Sequence, residues 1–163
     1  MRISKKRAQP TRFRRSLAYD DSAMRVLVVE DDPSIRDMLE KFLAPVARCD
    51  LAEDGVAGII AMEQALLRGE PYDLICLDLV MPNMDGWEAL RRIRAMEQSH
   101  ARIPHVRVLI LTARDSSQNM RRFLTSSTSE GFLLKPFRKS ELFEAIRGLG
   151  LDIDSGSSGT HSR

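Results

Sequence analysis

Short, unbroken apolar runs alternate along this chain with stretches in which apolar residues recur every three or four positions. The run RVLVV at 25–29 shows no polar alternation, the pattern of a strand covered on both faces. The next stretch places Ile35, Met38, Leu39, Phe42 and Leu43 at helical spacing, and Asp32 before Pro33 predicts its N-cap and first helical position. A weaker strand is expected at 46–51, then a helix within 53–69 closed by Gly69. Strand three is expected at 73–78, and GWEALRRIRAMEQS at 86–99 puts Trp87, Leu90, Ile93 and Arg94 on or near one helical stripe. VRVLILT at 106–112 reads as strand four, SQNMRRFL at 117–124 as a short helix, GFLLK at 131–135 as strand five and KSELFEAIRGLG at 139–150 as the last helix. Five repeats of strand then helix predict a parallel sheet with right-handed crossovers and helices on both faces. Ligands of such sheets bind outside the carboxyl ends of the strands.

The residues at those ends carry the chemistry. Strand one stops at Glu30, Asp31 and Asp32, strand three at Asp78, strand four at Thr112 and Ala113, and strand five at Lys135 before Pro136. Asp78 closes an otherwise apolar run, where a carboxylate is costly to bury, and the turn formers Pro82, Asn83, Asp85 and Gly86 follow directly. Clustered carboxylates repel unless a cation joins them. Lys135 supplies one positive charge. A hard divalent ion with oxygen ligands supplies more, and Mg²⁺ suits carboxylates, water and phosphate oxygens. A carboxylate in such a crevice can act as a covalent nucleophile toward phosphorus. The Thr112 hydroxyl and the Ala113 amide are then placed to bind the remaining oxygens.

Composition narrows the class. An apolar content of 43% supports a packed core rather than a disordered chain. Residues 1–23 hold seven basic and two acidic side chains, whereas residues 24–150 hold 17 basic and 19 acidic ones. The basic balance belongs to the amino-terminal stretch, and the folded part gives no electrostatic case for nucleic-acid binding. No apolar run is long enough to span a bilayer, and the basic start is not followed by a secretory h-region. Cys49 and Cys76 form no metal-binding pair, and reduced thiols in the cytoplasm are the plain expectation. His100, His105 and His161 lie in polar or terminal stretches and read as solvated residues. The expected organisation is a basic disordered tail at 1–23, one domain at 24–150 and a flexible tail at 151–163. Met24 offers an alternative start, which would make residues 1–23 an extension.

Four stretches taken together, VLVVEDDPSIR, DLICLDLVMPNMDGWEAL, LILTA and GFLLKPF, resemble the receiver domain of bacterial two-component response regulators. The resemblance spans about residues 24–150. It implies an α/β, flavodoxin-like (CheY-like) fold with a five-stranded parallel sheet of strand order 2-1-3-4-5. It implies Asp78 as phosphoacceptor, and Asp31, Glu30, Asp78 and the Val80 backbone carbonyl around Mg²⁺, with Arg36 aligning the acid pair. It further implies Thr112 as switch hydroxyl, Lys135 as the phosphate-pairing lysine, Phe132 as switch aromatic and a cis peptide before Pro136. The partners implied are a histidine kinase or histidine phosphotransfer protein and a downstream protein target. The expected protein is a stand-alone receiver that catalyses only its own phosphorylation and dephosphorylation.

Three features depart from the family's usual pattern. EQSHARIPH at 97–105 lengthens the path from Asp78 to Thr112, TSSTSEG at 125–131 replaces a segment usually rich in Ala and Gly, and the aromatic is Phe rather than Tyr. These bear on the output face rather than on phosphorylation chemistry. A phosphatase working through an aspartyl-phosphate is the enzyme rival, but it needs a second acid two residues after the nucleophile, where this chain has Val80. A receiver-like binding module that works without phosphorylation is the other rival, and the intact acid pair, Thr112 and Lys135 argue against it.

Overall fold

The computed structural model describes residues 23–100, 105–113 and 130–153. The helix expected at 117–124 and residues 1–22 and 154–163 lie outside the described residues, as does most of the 125–131 stretch. Five strands, β1 (Met24–Val29), β2 (Ala47–Ala52), β3 (Leu74–Asp78), β4 (Arg107–Ala113) and β5 (Glu130–Lys135), form one sheet in the order β2-β1-β3-β4-β5. Every neighbouring pair is parallel. The helices are α1 (Pro33–Leu43), α2 (Gly55–Leu67), α3 (Gly86–Ser99) and α4 (Lys139–Gly148). Fold and strand order match the expectation.

The continuous apolar runs follow from double coverage. Leu27, Val29, Ile75, Leu77, Val108 and Ile110 pack on one face with residues of α2 and α3, such as Met62, Leu90 and Ile93. Val26, Val28, Leu74, Cys76, Leu109 and Leu111 pack on the other with Leu39 and Leu43 of α1 and Leu142 and Ile146 of α4. Alternate side chains of a strand point to opposite faces, so a strand buried on both has no place for polar alternation. Each such Leu or Ile contributes roughly 1.5–3 kcal/mol by leaving water.

Helix starts are set by short polar caps. The Asp32 carboxylate accepts from the Ser34 and Ile35 amides, Asp54 from Ala57 and Asp85 from Glu88. In a parallel sheet these three helix starts lie at the same edge as the strand carboxyl ends. Gly69, with φ of 69°, closes α2 as expected, with the Glu70 amide donating to the Ala65 carbonyl. The packed chain runs past the boundary expected at 150: Ile153 is only 3% exposed and joins Leu149 on the α1/α4 face. No described helix is long and apolar enough to cross a membrane.

Candidate functional site

The carboxyl edge of the sheet gathers charge. Glu30 follows β1 directly and is fully buried, Asp31 beside it is exposed, and Asp78 ends β3 and is buried. One carboxylate oxygen from each of the three lies within 4.8 Å of the others. Lys135 reaches over from the end of β5, and its Nζ lies 2.6 Å from Glu30 Oε2 and 3.4 Å from Asp78 Oδ1. The Lys135–Pro136 bond is cis, as the resemblance implied.

Backbone contacts hold the acids in place. The Glu30 amide donates to the Ala52 carbonyl, and the Asp32 amide donates to Glu30 Oε1 at 3.1 Å. Arg36, one turn into α1, donates from Nη1 to the Glu30 carbonyl at 2.6 Å and the Asp31 carbonyl at 3.4 Å. Asp32 itself is occupied as the α1 cap. On β3, Asp78 Oδ1 accepts from the Val80 amide at 3.3 Å.

The loop from Leu79 to Asp85 then turns sharply, and the Gly86 amide donates to the Leu79 carbonyl at 3.0 Å. A β-carbon at Gly86 would collide with the Asp78 carbonyl oxygen and stand 2.8 Å from Leu79 Cα. That glycine therefore brings α3 onto the backbone of the acid. Ala in a helix gains up to about 1 kcal/mol over Gly, whereas overpacking costs typically 1–3 kcal/mol. The clash wins: Gly86→Ala is expected to lower stability by about 2 kcal/mol in urea melts. A neutral or stabilised variant would show that the backbone at Asp78 gives way freely.

Burial sets the electrostatics. It is the main cause that pushes the Glu30 carboxyl up to about 7, with nearby Asp78 adding to the rise and the Lys135 ammonium opposing it. Burial likewise raises the Asp78 carboxyl, against the pull of Lys135. A carboxyl whose pKa is higher folded than unfolded contributes stability at low pH that is lost as pH rises. For Glu30 this window runs from the ordinary 4.5 to about 7. The melting temperature of the metal-free protein is therefore expected to fall as pH is raised through that window. A rising melting temperature there would contradict the geometry.

The remaining expected residues are placed less decisively. Thr112, buried at the end of β4, donates from Oγ1 to the Ala113 carbonyl at 3.2 Å. β-Sheet register sets Asp78 beside Leu111, Thr112 beside Leu134 and Ala113 beside Lys135. Phe132 is half-buried and packs against the α2/α3 face. The Val80 side chain is 69% exposed. His105 is exposed, yet its Nδ1 lies 2.8 Å from Glu97 Oε2. Sequence reasoning also missed the bond from Asn83 Nδ2 to Asp54 Oδ2, at 2.9 Å, which ties the loop after β3 to the start of α2. The Ala57 amide and the Asn83 amide together hold the Asp54 carboxyl below its usual range.

The donor set is all oxygen, and among the described residues it contains no histidine or cysteine. These oxygens lie near enough to one another to surround a single hard divalent ion, so the residues fit one. In a doubly wound sheet ligands bind at the switch edge, which is where these acids and Lys135 lie. The sequence profile of the response regulator receiver domain matches residues 26–147, and the chain belongs to that family. The transcriptional activator protein IrlR of Burkholderia pseudomallei is 36% identical over 127 residues, which make up 77% of this chain and 50% of that protein. The receiver domain of the Francisella response regulator 1452 superposes with a TM-score of 0.60 at 31% identity, covering 77% of this chain and 95% of that one. Chemotaxis protein CheY4 of Vibrio cholerae gives 0.59 at 26% identity, covering 78% and 98%. The chain spans about half the length of the curated relatives it matches.

Proposed function

We propose that this chain accepts a phosphoryl group on Asp78 from a phosphohistidine of a kinase or phosphotransfer protein, and passes the signal on by protein contact or by relay. The observation that carries this reading is the meeting of Glu30, Asp31 and Asp78 within 4.8 Å, with Lys135 against two of them. Three clustered acids, two of them buried, with one lysine are under-neutralised, and a site of that kind suits a divalent cation and an incoming phosphoryl group.

In the proposed reaction an Asp78 carboxylate oxygen attacks phosphorus in line. The new P–O bond forms as the P–N bond breaks, and the donor imidazole keeps the electron pair. Glu30, Asp31, Asp78 and the Val80 carbonyl would hold Mg²⁺, which when bound neutralises charge on the phosphoryl oxygens. Lys135 pairs with a phosphoryl oxygen, so its Nζ leaves Glu30 for the transferred group. The Thr112 hydroxyl turns from the Ala113 carbonyl to donate to another oxygen, and the Ala113 amide donates to the same group. Thr112 and Phe132 lie on the same sheet face, on adjacent strands, which supports a movement of Phe132 that follows Thr112. Val80 stands where an aspartyl-phosphate phosphatase needs its second acid, which argues against turnover of outside substrates.

The reading places the chain in the cytoplasm, where Cys49 and Cys76, both free, stay reduced. IrlR is named as a transcriptional activator. In this chain residues 24–150 carry more acidic than basic side chains, which favours a protein target over DNA. We assign residues 24–150, with the packed extension to Ile153, to the receiver unit. Phosphotransfer from a panel of the host's autophosphorylated histidine kinases tests the reading. Rapid transfer from one or a few is expected, and failure with every donor, acetyl phosphate included, would overturn it.

A further inference from the structure

We propose that the hydrogen bond between Asn83 and Asp54 is a positioning clamp that sets the divalent-cation affinity of the pocket without touching the ion. This inference rests on the phosphoacceptor reading above, because it concerns the loop that carries the Val80 carbonyl. That loop leaves β3 at Asp78 and must keep its backbone beside three mutually repelling carboxylates. Val80 cannot anchor it by packing, since its side chain is largely in solvent. The fixed points lie further on. Met81 and Met84 are buried, and Met84 seats against Gly55, where a β-carbon would come within 2.7 Å of the Met84 carbonyl. Between the two methionines, Asn83 takes φ of 66°, in the left-handed region that Asn tolerates better than most residues.

From that conformation Asn83 Nδ2 reaches Asp54 Oδ2 at 2.9 Å, while Asp54 Oδ1 accepts from the Ala57 amide at 2.8 Å. One carboxylate thus caps α2 with one oxygen and pins the loop with the other. A loop already pinned has less freedom to lose when a backbone carbonyl is recruited to a cation. Hydrogen-bond partners of a metal's own ligands typically set affinity within a roughly 10–100-fold range, and a clamp one step further out, on the ligand's loop, belongs at the low end.

The test uses the full chain, with Mg²⁺ alone as probe in titration calorimetry and acetyl phosphate labelling at varied Mg²⁺. Asn83→Gly keeps the backbone conformation and removes the donor. Asp54→Ser keeps a helix cap and removes the second oxygen. Each is expected to weaken Mg²⁺ binding about tenfold. Because the two act through one bond, the double variant is expected to be no weaker than either single one. Asp54→Asn is the conservative control: the Asn83 amide can turn over and accept from it, so near-normal binding is expected. The melting temperature without Mg²⁺ is expected to stay nearly constant, and labelling to reach its usual plateau once Mg²⁺ saturates.

Wild-type affinity in both single variants, or losses that add in the double variant, would overturn the clamp while leaving phosphorylation of Asp78 intact. A wild-type chain that takes up neither Mg²⁺ nor a phosphoryl group would overturn the clamp and the reading beneath it together.

Discussion

Asp78→Asn is expected to reduce phosphoryl incorporation from acetyl phosphate and Mg²⁺ to background, against one group per wild-type chain by intact-mass measurement. The substitution keeps size and shape at the end of β3. What changes is chemistry: an amide oxygen is a poor nucleophile, and the neutral group no longer draws the Lys135 ammonium, now 3.4 Å from Asp78 Oδ1. Loss of fold is not the alternative explanation. Burial works against the Asp78 charge, and its carboxyl is raised for that reason. Removing a penalised charge is expected to leave the metal-free melting temperature unchanged or slightly higher. The pair of outcomes, no labelling and no loss of stability, separates a nucleophile from a structural acid. Labelling that persists in the Asn variant would move the acceptor to Asp31 or elsewhere and undo the proposed chemistry.

The positions of the charged groups were legible because topology does most of the placing. Once β1, β3 and β5 are known to be parallel, Glu30, Asp31, Asp78 and Lys135 must share an edge, whatever the loops do. The Asp32 cap was legible for a similar reason, since an Asp before Pro at a helix start has little else to do. Side-chain direction was not. Thr112 lies where expected, but its hydroxyl donates to the Ala113 carbonyl, a local choice that no spacing encodes.

Contacts between distant loops were hidden as well. Asp54 and Asn83 are separated by a helix and a strand, and each alone reads as an ordinary cap or turn residue. Glu97 shows the same limit from within a helix. In EQSHARIPH it looks like one of several solvated polar residues, yet its side chain is buried. The one available signal was Arg94, a cation on an otherwise apolar stripe, whose stem lies along the core while its head needs an anion.

Glu97→Ala is expected to be the most destabilising substitution of a charged residue outside the phosphoacceptor edge, by about 3 kcal/mol. The Glu97 carboxylate accepts from the Val106 amide at 2.7 Å and from Arg94 Nη1 at 2.8 Å, and it meets His105 Nδ1 at 2.8 Å. It thereby binds the end of α3 to the chain as that chain re-enters the sheet at β4. Truncation leaves a buried amide at Val106 without its acceptor, which costs roughly 1–3 kcal/mol, and removes one partner from a buried ion pair. Arg94 limits the damage, because it also donates to the Val106 carbonyl and to Glu130 Oε1, at 3.1 and 2.7 Å. Glu97→Gln keeps an acceptor for Val106 and is expected to cost less than half as much. In thermal melts the Ala variant is expected to fall by about 10 °C. The two variants also test how separable the sheet's two ends are. Val106 precedes β4 and Glu130 begins β5, at the edge opposite Asp78. Below its melting point, Glu97→Ala is therefore expected to label with acetyl phosphate as wild type does. A variant that melts normally, or one that stays folded but no longer labels, would show that the amino-end clamp is not the independent brace its geometry describes.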